Sequence, residues 1–180
     1  MGPVTTLHLM VGLPGAGKTT RARALAAEHG ALRLTPDVWM LPLYGASDPD
    51  GQRDVLEGRL VSVALQALAL GTSVVLDFGF WGRDERSSLR ALAAGLRAEA
   101  EVVYLPVDRE TQRARVGRRW DETPGETFAM TEEEIDDSRR VFEEPDAAEL
   151  AGGPVPPAPS GSGAWAAWAA VRWPSSDVVG

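Results

Sequence analysis

The residues best suited to chemistry lie near the amino terminus, in the run GLPGAGKT at positions 12–19. This run fits the pattern G-x-x-x-x-G-K-[ST], in which glycines let the chain wrap a polyphosphate and point backbone N–H groups toward it. Lys18 is expected to reach the β- and γ-phosphates, and Thr19 to bind Mg²⁺. The pattern therefore predicts a nucleotide site for ATP with Mg²⁺. The predicted nucleotide-binding residues are Gly12, Leu13, Pro14, Gly15, Ala16, Gly17, Lys18, Thr19, Thr20 and Arg115.

Composition adds a second argument for this loop. Lys18 is the only lysine in the chain, beside seventeen arginines. A compact ammonium group fits inside a tight phosphate loop, where a rigid guanidinium fork does not. The glycines at positions 12, 15 and 17 read G-x-x-G-x-G, which is not the spacing of the dinucleotide fingerprint. The loop thus favours a triphosphate over NAD.

Two aspartates follow apolar stretches and are candidates for catalysis. Asp37 comes after an apolar run and Pro36, where a carboxylate can orient and deprotonate an acceptor hydroxyl, although it can equally cap a helix. Asp77 ends the run VVL at positions 74–76, a place suited to holding Mg²⁺ directly or through water; the alternative is a turn aspartate. The sequence leaves open whether the two aspartates exchange these roles.

Aromatic and basic residues follow Asp77. Phe80 and Trp81 are candidates for lining an acceptor pocket, with core packing as the alternative. Arg83 and Arg86 are predicted to bind the substrate or the transferring phosphate, or else to pair with neighbouring acids on a solvated helix face.

A further arginine cluster lies at positions 115, 118 and 119. Phosphoryl transfer needs positive charge at the equatorial oxygens of the phosphate, and a lid that closes over ATP can supply it. Arg119 is the preferred catalytic candidate, followed by Arg115. The alternative is an ordinary solvated charge run.

The elements that must position these residues alternate between strand and helix. Short apolar runs predict strands, and apolar residues at helical spacing predict helices. This alternation indicates an α/β fold with a mostly parallel sheet covered on both faces and with its sites at the carboxyl ends of the strands. The predicted strands are 4–11, 31–35, 73–78 and 101–107, and the main predicted helices are 18–29, 56–68, 84–96, 111–120 and 131–142.

Length and composition set the remaining limits. A chain of 180 residues predicts one domain over 1–149 with a lid at about 115–130, a linker rich in glycine, proline and serine at 150–163, and a last strand or helix within 164–180. The absence of cysteine excludes disulfides and thiolate catalysis. A net charge of −8 makes nucleic acid an unexpected partner, and the lack of a leader or membrane span predicts a cytoplasmic protein.

The glycine loop, Asp37, the run VVLDFGFW at 74–81 and the arginine-rich segment occur in an order that resembles AAA_33-type small P-loop kinases. This group is similar to chloramphenicol phosphotransferase, zeta toxin and the kinase half of polynucleotide kinase, and the resemblance covers about residues 4–149. It implies a three-layer α/β/α P-loop NTPase fold with a five-stranded sheet of order 2-3-1-4-5. It also implies transfer of phosphate from ATP to a hydroxyl group, with an acid at the place of Asp37 as the base.

The leading functional hypothesis is therefore a kinase that phosphorylates a hydroxyl of a small molecule, such as an antibiotic, a sugar or a nucleoside-like compound. A 5′-hydroxyl polynucleotide kinase is the rival within enzymes, and the net charge disfavours it. From other classes, a slow ATP-dependent switch and an adapter that docks its acidic helix at 131–144 on a basic partner stay open. The choice between ATP and GTP and the oligomeric state are not encoded in these patterns.

Overall fold

The computed structural model of the chain describes residues 4–122 and 128–178. In this part of the chain, four strands and eight α-helices are joined by loops and one short 3₁₀ turn. None of these helices is both long and apolar enough to cross a bilayer. The elements are β1 Thr6–Val11, α1 Lys18–His29, β2 Leu32–Leu34, α2 Pro36–Tyr44, the 3₁₀ turn Pro49–Gly51, α3 Gln52–Ala69, β3 Val74–Gly79, α4 Arg83–Gly95, β4 Glu99–Tyr104, α5 Arg109–Glu122, α6 Glu132–Val141, α7 Ala147–Leu150 and α8 Trp165–Arg172.

The strands form one parallel sheet in the order β2-β3-β1-β4. Strand β1 is central, and its Leu7 lies opposite Val74 of β3 and Ala100 of β4. Because every pairing is parallel, the carboxyl ends of all four strands meet at one edge of the sheet. The predicted α/β class and the first four places of the predicted strand order are confirmed.

The prediction of a fifth strand was wrong for the part of the chain that the structure describes. Residues 154–159 have no regular secondary structure, as expected of a stretch with four prolines. The following α8 buries Trp165 and Ala169, and Trp173 continues the same spacing of four residues with no exposed surface. An apolar repeat of this period indicates a helix rather than a strand, and α8 packs on α4.

The core lies on both faces of the sheet because β1 alternates its side chains between them. Leu7, Leu9 and Val11 point to the larger cluster, which also includes residues of α3, α4 and α8. Met10 points to the opposite face, where it packs with residues of α1 such as Leu25. The two layers of helices hold the carboxyl edge of the sheet in a fixed shape, and that edge carries the site.

Candidate functional site

A large cleft of about 1490 Å³ opens along the carboxyl edge of the sheet. Its walls come mainly from the glycine loop, the end of β3, the first turn of α2, and helices α1, α3 and α5. The structure thus brings most of the predicted site residues to one place. Those that line the cleft are Pro14, Gly15, Gly17, Lys18, Thr19, Thr20, Asp37, Asp77, Phe80, Trp81, Arg115 and Arg119.

The glycine loop has a backbone that only glycine adopts without strain. Gly12, Gly15 and Gly17 have φ values of 154°, 79° and 92°. A Cβ atom on Gly12 would lie 2.8 Å from the carbonyl oxygen of Leu105, and one on Gly15 would lie 3.1 Å from that of Gln112 in α5. The glycines therefore permit both the turn itself and the close approach of α5 to it.

Lys18 is the first residue of α1, and its side chain lies inside the cleft. In the ligand-free structure its Nζ atom donates a hydrogen bond to the carbonyl oxygen of Leu13 at 2.8 Å. Burial lowers the pKa of Lys18 from 10.5 to about 8, because the charges of Asp77 and Asp37 offset only part of the desolvation. The ammonium group has thus lost part of its hydration on burial, and the oxygens of a bound polyphosphate would compensate for that loss.

The lowered pKa predicts unusual reactivity of the single lysine side chain. Acylation of Lys18 is expected to increase with pH through a midpoint near 8, where an ordinary lysine is still almost fully protonated, because only the neutral amine reacts. Peptide mapping by mass spectrometry separates Lys18 from the amino-terminal amine. The denatured chain is the control, and a folded-state midpoint near 10.5 would contradict the burial argument.

Asp37 lies in the first turn of α2, two residues after the N-cap residue Thr35. Pro36 at the helix start has a backbone angle suited to that position, and it separates Asp37 from the end of β2. The carboxylate is 44% exposed to the cleft, and its Oδ1 atom accepts a hydrogen bond from Arg53 Nη1 at 3.0 Å. An exposed, oriented carboxylate at this place is able to accept a proton from a bound hydroxyl.

Asp77 lies near the end of β3 and is almost fully buried. Arg33 of β2 donates two hydrogen bonds to its Oδ2 atom, at 2.7 and 3.3 Å. Thr19, the other predicted metal ligand, lines the same cleft. A hydroxyl and a carboxylate are hard oxygen donors, so this pair fits Mg²⁺, which takes its other ligands from water and phosphates.

Phe80 and Trp81 lie on the wall next to Asp77. Phe80 is 4% exposed and stacks on Phe78 with ring centroids 5.1 Å apart, so it belongs to the core as well as to the cleft. The Nε1 atom of Trp81 donates to the carbonyl oxygen of Gly12 at 3.3 Å. Trp81 therefore supports the glycine loop while it presents its ring to the cleft.

Arg83 and Arg86 lie outside the cleft. Arg86 has no exposed surface, and its guanidinium group forms two hydrogen bonds to Glu149, at 2.8 and 3.1 Å. The prediction that Arg86 contacts substrate was wrong, because the fold uses this residue to fix the chain after α6. Arg83 is on the surface, where its Nη2 atom contacts Asp146 at 2.8 Å.

The arginines of α5 face the glycine loop across the cleft. Arg115 Nη1 donates to the carbonyl oxygen of Gly15 at 3.2 Å. Arg119 lies close enough to Lys18 for its charge to lower the pKa of Lys18 further, and Arg118 also lines the cleft. Residues 123–127 of the predicted lid lie outside the described residues. Helix α5 thus places positive charge next to the glycine loop, and whether it acts as a lid stays a prediction.

The sequence reasoning missed the charged residues at the far end of the cleft. Arg53 bridges Asp37 and Glu57, and its Nε atom lies 3.0 Å from Glu57 Oε1. Arg172 enters from α8 and contacts Glu85 at 2.8 Å and Asp54 at 2.6 Å. The spacing of Arg53 and Glu57 on one helix was a visible signal, but no local pattern links Arg172 to residues more than 80 positions away.

Comparison with known proteins identifies the family and shows which solved structures share this fold. Residues 7–145 match the family AAA_33, described as an AAA domain, and no curated protein matches by sequence. The structure is similar to Kti12 of Chaetomium thermophilum in complex with ADP-AlF3, with a TM-score of 0.62, 22% identity and coverage of 78% of this chain and 81% of that one. A protein from Chloroflexus aurantiacus provisionally called a kinase has a TM-score of 0.62, 19% identity and coverages of 88% and 84%. A sugar kinase from Janibacter has a TM-score of 0.56, 19% identity and coverages of 82% and 82%.

Proposed function

The chain belongs to the AAA_33 family, and on this premise we propose that it transfers the γ-phosphoryl group of ATP to a hydroxyl group of a small molecule. The fold of a P-loop kinase implies nucleotide binding. The observation that carries the proposal is that the glycine loop with Lys18 and the exposed carboxylate of Asp37 line one cleft. A site for nucleotide alone would not need a second, exposed carboxylate in the same cleft.

The chain's own residues divide the work of binding. The amides of the glycine loop and the amino-terminal end of α1 hold the phosphates, and Lys18 exchanges its hydrogen bond to Leu13 for the β- and γ-phosphate oxygens. Thr19 and Asp77 would hold Mg²⁺, which neutralises phosphate charge when bound. Arg115 and Arg119 supply positive charge to the equatorial oxygens of the transferred group.

Transfer then requires only positioning and one proton acceptor. The acceptor oxygen forms a bond to the γ-phosphorus as the bond from that phosphorus to the bridging oxygen of ADP breaks. Asp37 takes the proton of the acceptor hydroxyl, and ADP carries away the electron pair of the broken bond. Asp37 is suited to this because it lies in the same cleft as Lys18, and its charge is felt at that side chain.

We call the part of the cleft around Arg53 and Arg172 its acceptor end, and the charge pattern there favours an acceptor without negative charge. Its two arginines, Arg53 and Arg172, are already engaged by four carboxylates, so neither offers an unpaired guanidinium group to a carboxylate or phosphate of the acceptor. An anionic acceptor would add to the surplus of negative charge. These carboxylates are Asp37, Asp54, Glu57 and Glu85. The same pattern counts against the 5′ end of a polynucleotide.

A panel of acceptors tests both the function and this preference. With ATP and Mg²⁺, ADP formation is expected to rise when uncharged or amine-bearing hydroxyl compounds are added. With carboxylated or phosphorylated compounds the rate of ADP formation is expected to be at least about tenfold lower, which corresponds to one unfavourable charge contact. ³¹P NMR of the product verifies the phosphate ester. ADP formation at background level across the whole panel would contradict the kinase proposal, and preference for the acids would contradict only the charge argument.

A further inference from the structure

The C-terminal segment, residues 164–178, reaches the cleft although it lies outside the family match, which ends at residue 145. Arg172 is the residue of this segment that lines the cleft. The next residue, Trp173, has no exposed surface and belongs to the larger core cluster. A segment outside the family match therefore contributes a residue to the lining of the candidate site.

Both residues bind the same carboxylate of α3. The indole Nε1 of Trp173 donates to Glu57 Oε2 at 3.2 Å, and Arg172 Nη2 lies 3.6 Å from the same oxygen. The side chain of Glu57 is only 8% exposed, and burial raises its pKa. A carboxylate so deeply buried depends on these donors to stay in place, because unpaired buried charges are unfavourable.

The other carboxylate oxygen of Glu57 is linked through Arg53 to Asp37, the candidate base. Glu57 Oε1 accepts from Arg53 Nε at 3.0 Å, and Arg53 Nη1 donates to Asp37 Oδ1 at 3.0 Å. The guanidinium group is planar and rigid, so fixing its Nε side also fixes the direction of its Nη1 side. A continuous set of polar contacts thus runs from α8 through α3 to Asp37 in α2.

We propose that the C-terminal segment is part of the acceptor site, and that Arg172 and Trp173 are positioning residues that orient Asp37 through Glu57 and Arg53. The segment is expected to act on the base more than on the nucleotide, because the side-chain partners of Arg172 and Trp173 are Asp54, Glu57 and Glu85 and not residues of the glycine loop. The expected effect on the rate of phosphoryl transfer rests on the proposed function. The effect of Arg172 and Trp173 on the position of Asp37 does not rest on it, and this effect can be measured without any acceptor.

The first measurement is the side-chain carboxyl resonance of Asp37 in protein labelled with ¹³C-aspartate, identified by its loss in Asp37→Asn. In Arg172→Gln and in Trp173→Phe, which keeps an aromatic ring in the core but removes the indole donor and leaves a small cavity, we expect this resonance to move by more than its linewidth. Thermal unfolding verifies that both variants are folded. An unmoved resonance in both folded variants overturns the proposal.

Arg59→Gln is the matched control for this experiment. Arg59 also holds the C-terminal segment, through the carbonyl oxygen of Ser175 and the carboxylate of Asp177, but on the exposed surface outside the cleft. Its loss is expected to leave the Asp37 resonance in place. If Arg59→Gln moves the resonance as far as Arg172→Gln does, the effect is general loosening of the segment, and the specific positioning role is wrong.

The second measurement separates positioning from nucleotide binding. With whichever acceptor of the panel supports transfer, Trp173→Phe and Arg172→Gln are expected to lower kcat by about tenfold or more while the KM for ATP stays within about twofold, because a misplaced base affects the chemical step. A rise in the KM for ATP as large as the fall in kcat would overturn the positioning role. If the wild-type protein transfers to no acceptor, the kinase proposal fails, and the NMR result alone decides the positioning role.

Discussion

Lys18→Met is expected to weaken ATP binding at least about a hundredfold and yet to stabilise the ligand-free protein. Binding fails because the variant lacks the one ammonium group placed to reach the phosphates inside the glycine loop. Stability rises because methionine keeps the buried methylenes and removes a charge that burial disfavours. Lys18 is therefore expected to increase the affinity for ATP while it lowers the stability of the protein without ligand.

The sign of the stability change follows from the two pKa values. The folded-state pKa of Lys18 is about 8, below the ordinary 10.5, so at pH 7 the folded protein carries a proton it binds less tightly than the unfolded chain does. The fall in pKa from 10.5 to about 8 corresponds to about 3 kcal/mol, from which about 1 kcal/mol is subtracted for the lost hydrogen bond to Leu13. The gain is full below pH 8, fades as the pH rises, and is gone only well above pH 10.5, where neither state is protonated.

Urea unfolding at pH 7 and at pH 10, with calorimetric titration of ATP and Mg²⁺, measures both effects. Arg140→Met provides the control, because it removes a cation from the exposed surface of α6 and should change stability by no more than about 0.5 kcal/mol. A Lys18→Met variant that unfolds would indicate that the ammonium group stabilises the fold. One that binds ATP as tightly as the wild type would remove the basis of the nucleotide site.

The parts of the site that sequence could predict are those encoded locally. The glycine loop depends on backbone angles and on one helix start, so its spacing alone identifies it. The strands could be predicted because a parallel sheet buried on both faces requires nearly continuous apolar runs. Asp37 lies close to the end of β2, as expected, but α2 was anticipated only through the alternative that Asp37 caps a helix, since α2 contains a second proline, Pro42, which is unfavourable inside a helix.

The parts that sequence could not predict depend on partners far along the chain. Arg86 lies in the first turn of α4 beside charged neighbours, which favours a solvated face, but Glu149 draws it into the core from 63 positions away. The same holds for Arg172 and Glu57, because tertiary packing of α8 on α4, and contacts of the residues after α8 with α3, bring them together. The fifth strand was expected from a resemblance, and the proline-rich stretch before α8 removes it from the described residues.

Asp37→Asn is expected to lower phosphoryl transfer by about 10²- to 10⁴-fold while ATP binding stays within about twofold. Asparagine keeps the shape of the side chain, and its amide oxygen can still accept the hydrogen bond from Arg53. The variant loses only the negative charge and the capacity to take a proton. Transfer to the acceptor and binding of ATP, measured on the same preparation, separate the two effects.

Asp50→Asn is the matched control for this substitution. Asp50 lies in the 3₁₀ turn with a φ of 53°, a conformation that asparagine tolerates, and it is not part of the cleft wall. A switch that hydrolyses ATP slowly without an acceptor would be equally unaffected by both substitutions, and this outcome would contradict a kinase. If transfer instead survives in Asp37→Asn and is lost in Asp77→Asn while ATP still binds, the base is Asp77, and Arg33 takes the positioning place that we assign to Arg53.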